Sequence, residues 1–192
     1  MEIANFGTNS LYWQVRLEGG IESGSPKEIV VYKYHGQDPL ERTRPKEATY
    51  TFRSKGIDRP EGALLGGQYG ACCAALTPTS MKISPLIPRR FLAGTGLRPG
   101  SSLTGLYDIE ADFIYPAARL VVLGSATRSV KGWAKRTLAT TIRTGARGAR
   151  IFNAGSLVWV TGFTGARPFG VSRASFIRFN ANILDWLQIK RY

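Results

Sequence analysis

The sequence predicts an α/β (or α+β) fold: a β-rich mixed sheet with one amphipathic helix at its C-terminal end. Three observations carry this expectation. Short runs of branched and aromatic residues recur along the chain. Gly-, Pro- and Asn-rich segments punctuate them. One segment near the end has the period of a helix.

Taken in order, Ile3-Ala4-Asn5-Phe6 reads as the end of a buried strand, and Gly7-Thr8-Asn9-Ser10 as the tight turn leaving it. No charged segment followed by an apolar stretch precedes them, so no signal or transit peptide is read here. The chain is expected to enter a fold partway through. Leu11–Leu17 and Glu28–Tyr34 alternate as two strands of a hairpin across the Gly-rich turn Gly19–Pro26. Residues 35 to 62, broken by Pro39, Pro45 and Pro60, read as a long polar surface loop. Further strand-like runs are Phe91–Ala93, Leu120–Leu123, Thr137–Ile142, Arg150–Ala154 and Leu157–Val160. In Ser175–Leu187 the apolar residues Phe176, Phe179, Ile183 and Leu187 fall at helical spacing, so this helix is expected to close one face of the sheet.

The 192 residues are 43% hydrophobic and 11% aromatic, a globular composition sufficient for one domain with a core. No apolar run approaches the roughly 20 residues that would span a bilayer, so no membrane segment is expected. Cys72 and Cys73 are adjacent, which is awkward for a disulfide, and read as thiols in a reducing cytoplasm. The charge is lopsided, with Lys+Arg 26 against Asp+Glu 13 and a net charge of +13. Between Phe113 and Leu184 there is no acidic residue, so the C-terminal half carries most of the field. Such a field attracts phosphate backbones whether or not binding them is its function.

Most catalytic templates fail. Gly94–Ser102 lacks the lysine and the spacing of a phosphate loop. Gly170-Val171-Ser172-Arg173-Ala174 is one residue short of a nucleophile elbow, and the single histidine, His35, lies in a polar loop far from it. With no cluster of ligand residues at metal spacing, His35 reads as a solvated loop residue.

Several blocks, in order, are similar to one family. They are Asn9-Ser10-Leu11-Tyr12-Trp13-Gln14-Val15-Arg16, Val31-Tyr32-Lys33 with Asp38-Pro39, Arg59–Gly66, and Phe91–Gly100. Gly105-Leu106-Tyr107-Asp108-Ile109-Glu110-Ala111-Asp112 and Gly148–Trp159 continue the series. This order resembles the large (beta) subunit of N,N-dimethylformamidase and its relatives over nearly the whole chain. The resemblance implies that residues 1–192 form a single domain, the C-terminal portion of an incomplete glutamine-amidotransferase-like domain. It implies hydrolysis of the C–N amide bond of a small formamide, with a mononuclear iron held by two tyrosines and a glutamate. The family's ligands and its His-x-Glu-Tyr-Trp motif lie upstream of the matched blocks, so this chain is expected to hold no cofactor itself. A truncated gene product or one piece of a split protein, inactive alone, is the expectation.

Two family positions carry over as candidate catalytic residues. Asn9 matches the asparagine of the Gly-Gly-Asn block, where a side-chain amide orients a carbonyl or a developing oxyanion. Glu110 matches the glutamate of the Gly-Tyr-Glu block, where a carboxylate pairs with the family's histidine as an acid/base dyad. By residue type alone, Asn9 reads as a turn asparagine and Glu110 as a surface or Arg-paired carboxylate; the motif match is what makes them candidates for an active-site wall. Thr8 stands where a second glycine is usual, Tyr107-Asp108-Ile109 replaces Gly-Tyr, and Val160–Phe163 replaces an aromatic-Gly-Leu. The implied partners are an upstream chain or a second copy. Alternative readings are a basic nucleic-acid-binding module, with Trp133, Phe152, Trp159 and Phe163 between its arginines, and a structural subunit that completes a partner's sheet.

Overall fold

The computed structural model describes residues 2–19, 28–72, 78–130 and 133–188. Cys73, and the side chains of Cys72 and Trp133, lie outside the described residues. The chain divides into two compact units, Leu11–Glu61 and the remainder, Met1–Ser10 with Gly62–Tyr192.

The larger unit is built on an eight-stranded mixed sheet. Its strands are β1 (Glu2–Asn5), β4 (Gly67–Cys72), β5 (Thr79–Ile83), β6 (Ser102–Tyr107), β7 (Glu110–Ile114), β8 (Leu120–Val130), β9 (Trp133–Thr144) and β10 (Arg150–Asn153). The order runs β1-β10-β9-β8-β5-β6, with β7 joining β9 at Phe113↔Leu138 and β4 pairing with β7. β1 stands at one end of that order and runs parallel to β10, with Asn5 opposite Asn153. The expected strands at 120–123, 137–142 and 150–154 are present, the first two as parts of the long β8–β9 hairpin.

Two expected strands are short 3-10 helices instead. Arg89–Leu92 turns helically after Pro88, which lacks an N–H and sets the entry angle. Leu157–Phe163 buries Val158, Trp159 and Gly162, a helical rather than an alternating spacing. Tertiary packing overrides the β-propensity of Leu-Val-Trp-Val here. A Cβ at Gly162 would come within 2.1 Å of the Phe176 ring, so the missing side chain admits that ring to the core. Strands β4 to β7 are elements that the residue pattern did not reveal.

The terminal helix forms as expected. After the single turn α1 (Gly62–Leu65), helix α2 (Arg173–Leu187) starts at Ser172, whose hydroxyl accepts from the Ser175 N–H, and ends at Gln188 in the left-handed conformation. Phe176, Phe179, Ile183 and Leu187 are all fully buried in the main core with Phe91, Tyr107, Phe152 and Trp159. Each such side chain contributes about 1.5–3 kcal/mol of apolar burial. Trp159 packs edge-on to Phe152 and at a tilt against Phe176 and Phe179, and donates its indole N–H to Asn180 Oδ1 at 2.9 Å. Among the described residues, no helix is long and apolar enough to cross a membrane.

The smaller unit has its own core of Ala48, Tyr50 and Ile57, with Trp13 and Phe52 packed against it. Strands β2 (Arg16–Glu18) and β3 (Glu28–Val30) pair antiparallel with Leu17 opposite Ile29, a shorter version of the expected hairpin. The long polar loop is held by Asp38. Its carboxylate accepts from the Leu40 N–H at 2.9 Å, from Thr49 N–H and hydroxyl at 2.8 Å each, and from Arg16 at 2.9 Å. Burial pushes this carboxyl up, but the hydrogen bonds outweigh it and hold its pKa at about 2.

Candidate functional site

The parallel pair β1–β10 organises the site. In sheets with parallel strands, ligands bind beyond the carboxyl ends of the strands, and both carboxyl ends here carry an asparagine. Asn5 Nδ2 donates to Asn153 Oδ1 at 2.6 Å. Asn5 Oδ1 accepts from the Gly7 N–H at 3.3 Å and from the Ser10 hydroxyl at 2.9 Å, so one side chain folds the Gly7–Ser10 turn around itself.

A second tie runs from the turn to β7. The Thr8 hydroxyl donates to Asp112 Oδ1, and Asn153 Nδ2 donates to Asp112 Oδ2 at 2.8 Å. Thr8, Asp112 and Asn153 are all buried, so the network is sealed from water and its bonds act at low dielectric. Asp112 also donates its N–H to the Gly155 carbonyl at 3.0 Å. Two glycines make room. A Cβ at Gly67 would lie 2.3 Å from Asn153 Nδ2, and one at Gly155, whose φ is +65°, would lie 2.4 Å from the Ala139 carbonyl oxygen.

Asn9 sits in the turn that this network fixes. It is exposed and adopts φ 54°, the left-handed region that asparagine tolerates better than most residues. Glu110 opens β7, two residues before Asp112. Strand alternation sets the two on one face, roughly 6–7 Å apart along the strand. Glu110 is half-buried, and the Tyr69 hydroxyl donates to its Oε1 at 3.4 Å. The turn before it is tight: Glu110 N–H bonds the Asp108 carbonyl at 2.7 Å, and Ile109 is held at φ 63°, a costly conformation for a β-branched residue. Asp108 pairs with Arg167 at 3.2 Å. The turn bearing Asn9 is thus hydrogen-bonded to the strand bearing Glu110.

Asp112, Asn153, Asn5 and Thr8 were not singled out from the sequence. Their signal was a polar residue at a buried strand position, Asp112 in Glu-Ala-Asp-Phe-Ile and Asn153 in Arg-Ile-Phe-Asn. His35 lies elsewhere, in the smaller unit, with its side chain 78% exposed and Nδ1 against Glu41. Among the described residues, no group of three or more His, Cys, Asp or Glu could hold a metal ion.

No curated protein matches the chain. The family model described as N,N-dimethylformamidase beta subunit-like, C-terminal, matches residues 1–170, which takes in the Asn9 turn, all eight sheet strands and the Glu110–Asp112 segment. The chain belongs to the N,N-dimethylformamidase beta subunit-like family.

Proposed function

We propose that this chain supplies one wall of an amide-hydrolysing site for small formamides. The observation that supports the reading is the Thr8–Asp112–Asn153–Asn5 network, which fixes the Asn9 turn on the strand that carries Glu110. Asn9 is the carbonyl-orienting donor. Its side-chain amide meets the formamide oxygen and stabilises the charge that gathers there as water adds to the carbonyl carbon. Glu110 is the proton carrier, taking the proton from the attacking water and delivering it to the departing amine nitrogen as the C–N bond breaks. The products are formate and the amine.

The iron implied by the family resemblance is, on this reading, held by residues of an upstream segment or a partner chain, and no step above is routed through it. A beta subunit of a multi-subunit enzyme is the family's own description, which makes a partner chain the natural supplier. The reaction belongs in a reducing cytoplasm.

The test is a chimera in which residues 1–170 replace the matching part of an active N,N-dimethylformamidase large subunit. The chimera is expected to turn over dimethylformamide. Asn9→Ala should lower kcat by about 10²–10³ and Glu110→Gln by about 10²–10⁴, while the isolated chain has no turnover. Full activity in both variants of a working chimera would remove Asn9 and Glu110 from the mechanism.

A further inference from the structure

The Thr8–Asp112–Asn153 network fixes the middle of β7, but Glu110 lies at the first position of that strand. There the backbone depends on the turn before it. The Tyr69 hydroxyl donates to Glu110 Oε1 at 3.4 Å, too long a bond to aim the carboxylate by itself.

That turn is strained. The Glu110 N–H closes on the Asp108 carbonyl, two residues back, at 2.7 Å, around Ile109 at φ 63°. This is the γ-turn of positive φ, rare and strained for any L-residue and more so for a β-branched one. Such a conformation persists only where its surroundings over-determine it, and it recurs at functional sites.

Arg167 supplies the hold. Its guanidinium pairs with Asp108 Oδ2 at 3.2 Å and donates to the Gly105 carbonyl at 2.9 Å, so one rigid fork ties the turn to β6. Asp108 Oδ1 accepts in turn from the Ile109 N–H at 2.9 Å. The guanidinium also lies over the Phe169 ring, 4.7 Å from its centre, and the Phe169 N–H bonds the Thr104 carbonyl of β6 at 3.0 Å. The backbone leaves room for this fork: a Cβ at Gly105, whose φ is +73°, would lie 2.5 Å from Arg167 Nη1. The side chains of Arg167 and Asp108 are 23% and 15% exposed, so the pair escapes most of the solvent screening that weakens a surface pair.

We propose that Arg167, acting through Asp108, is a positioning residue for the amide hydrolysis: it holds the Ile109 turn and so sets where Glu110 meets the attacking water. The proposal rests on the proton-carrying role given to Glu110. Misplacing a reacting group by about 1 Å costs up to about 10²-fold in rate, while groups that bind the substrate elsewhere keep their contacts.

Two measurements test it. In the full chain, amide exchange at Glu110 should be about 10- to 100-fold faster in Arg167→Gln than in the parent, because a shielded bond to a charged group is lost. Asp108→Asn, which keeps an acceptor for the Ile109 N–H, should show a smaller acceleration, and the β9 amides should exchange as in the parent. In the chimera carrying residues 1–170, Arg167→Gln should lower kcat about 10- to 100-fold with KM unchanged, and should cost nothing further in a Glu110→Gln background. Where Arg167→Gln does not fold, Asp108→Asn carries both tests. Acceleration shared equally by β9 marks general loosening and overturns the proposal. So does a kcat loss of the same size in both backgrounds, or a folded Arg167→Gln chimera with the parent's kcat while Glu110→Gln is impaired. A fully active Glu110→Gln chimera overturns the role of Glu110 first, and this proposal with it.

Discussion

Replacing Asp112 with alanine tests whether the buried network holds the Asn9 turn. The substitution removes the acceptor of two side-chain donors: the Thr8 hydroxyl, 7% exposed, and the Asn153 amide, fully buried. Each buried donor left without a partner costs about 1–3 kcal/mol, with the upper end favoured because the lost acceptor is a carboxylate. Two such losses give about 3–5 kcal/mol for Asp112→Ala. Asp112→Asn sets the contrast. Its amide oxygen can still accept from Asn153, and its NH₂ can donate to the Thr8 hydroxyl, so only the charge assistance is lost, about 1–2 kcal/mol. Urea unfolding followed by tryptophan fluorescence and far-UV circular dichroism reads both values. Amide exchange at Gly7, whose N–H bonds Asn5 Oδ1 at 3.3 Å, reads the turn itself and should accelerate in the alanine variant. A cost under about 1 kcal/mol for Asp112→Ala, or equal costs for the two variants, would refute the reasoning.

Other outcomes follow from the same geometry. Asp38 has a folded pKa of about 2 against an ordinary 3.8. Its depressed value gives the smaller unit about 2 kcal/mol of stability that is present above about pH 4 and lost as pH falls towards 2. Exchange at the Thr49 amide should speed up over that window, and Asp38→Asn should flatten the dependence. Gly67→Ala places a methyl 2.3 Å from Asn153 Nδ2 and should cost about 1–3 kcal/mol in urea unfolding; no loss would show that the strand can shift freely. Binding to DNA should be weak, indifferent to sequence and steeply weakened by salt in fluorescence anisotropy. Trp159→Ala should unfold the chain, at about 3–5 kcal/mol, rather than reduce the DNA affinity of folded protein.

Where local pattern and burial agreed, the fold was legible from sequence. Helix α2 shows Phe176, Phe179, Ile183 and Leu187 on one stripe, and that stripe is the buried one. The strands at 120–123 and 137–142 read correctly because branched residues lie on a pleated surface. Leu157–Val160 misled because its burial is decided by Phe176 entering beside Gly162, a contact made at long range. Strands β4 to β7 were hidden by glycines and by buried polar residues, which lower the apparent β signal although the fold depends on them. In the site, the family blocks pointed to Asn9 and Glu110. Pattern alone could not join them, because the link runs through Thr8 and Asp112, residues 104 positions apart. A pairing across that separation leaves no periodic trace.

The positive excess has a structural use that a sequence count conceals. In the stretch without acidic residues, several arginines bond backbone carbonyls. Arg143 reaches the Ala63 and Leu64 carbonyls, the latter at 3.1 Å, and Arg150 the Trp186 carbonyl at 2.7 Å. Arg167 reaches the Gly105 carbonyl at 2.9 Å, and Arg173 the Phe163 carbonyl at 2.7 Å. A guanidinium offers five donors in a fixed fork, so it can cap the open end of a turn or helix where a lysine would make one loose contact. A bond from a charged donor is worth about 1.5–3 kcal/mol where it is shielded from water and roughly 1 kcal/mol or less where it is exposed, as at Arg173. A carbonyl does not cancel the charge, so Arg143, Arg150 and Arg173 still add to the field of the larger unit, whereas Arg167 also pairs with Asp108 at 3.2 Å. Meanwhile Phe152 and Trp159, two of the aromatic rings that a single-strand platform would need, are fully buried, and Phe163 packs against the same core. Part of the positive excess is thus made of arginines that hold backbone carbonyls of the larger unit, and those three rings serve the core.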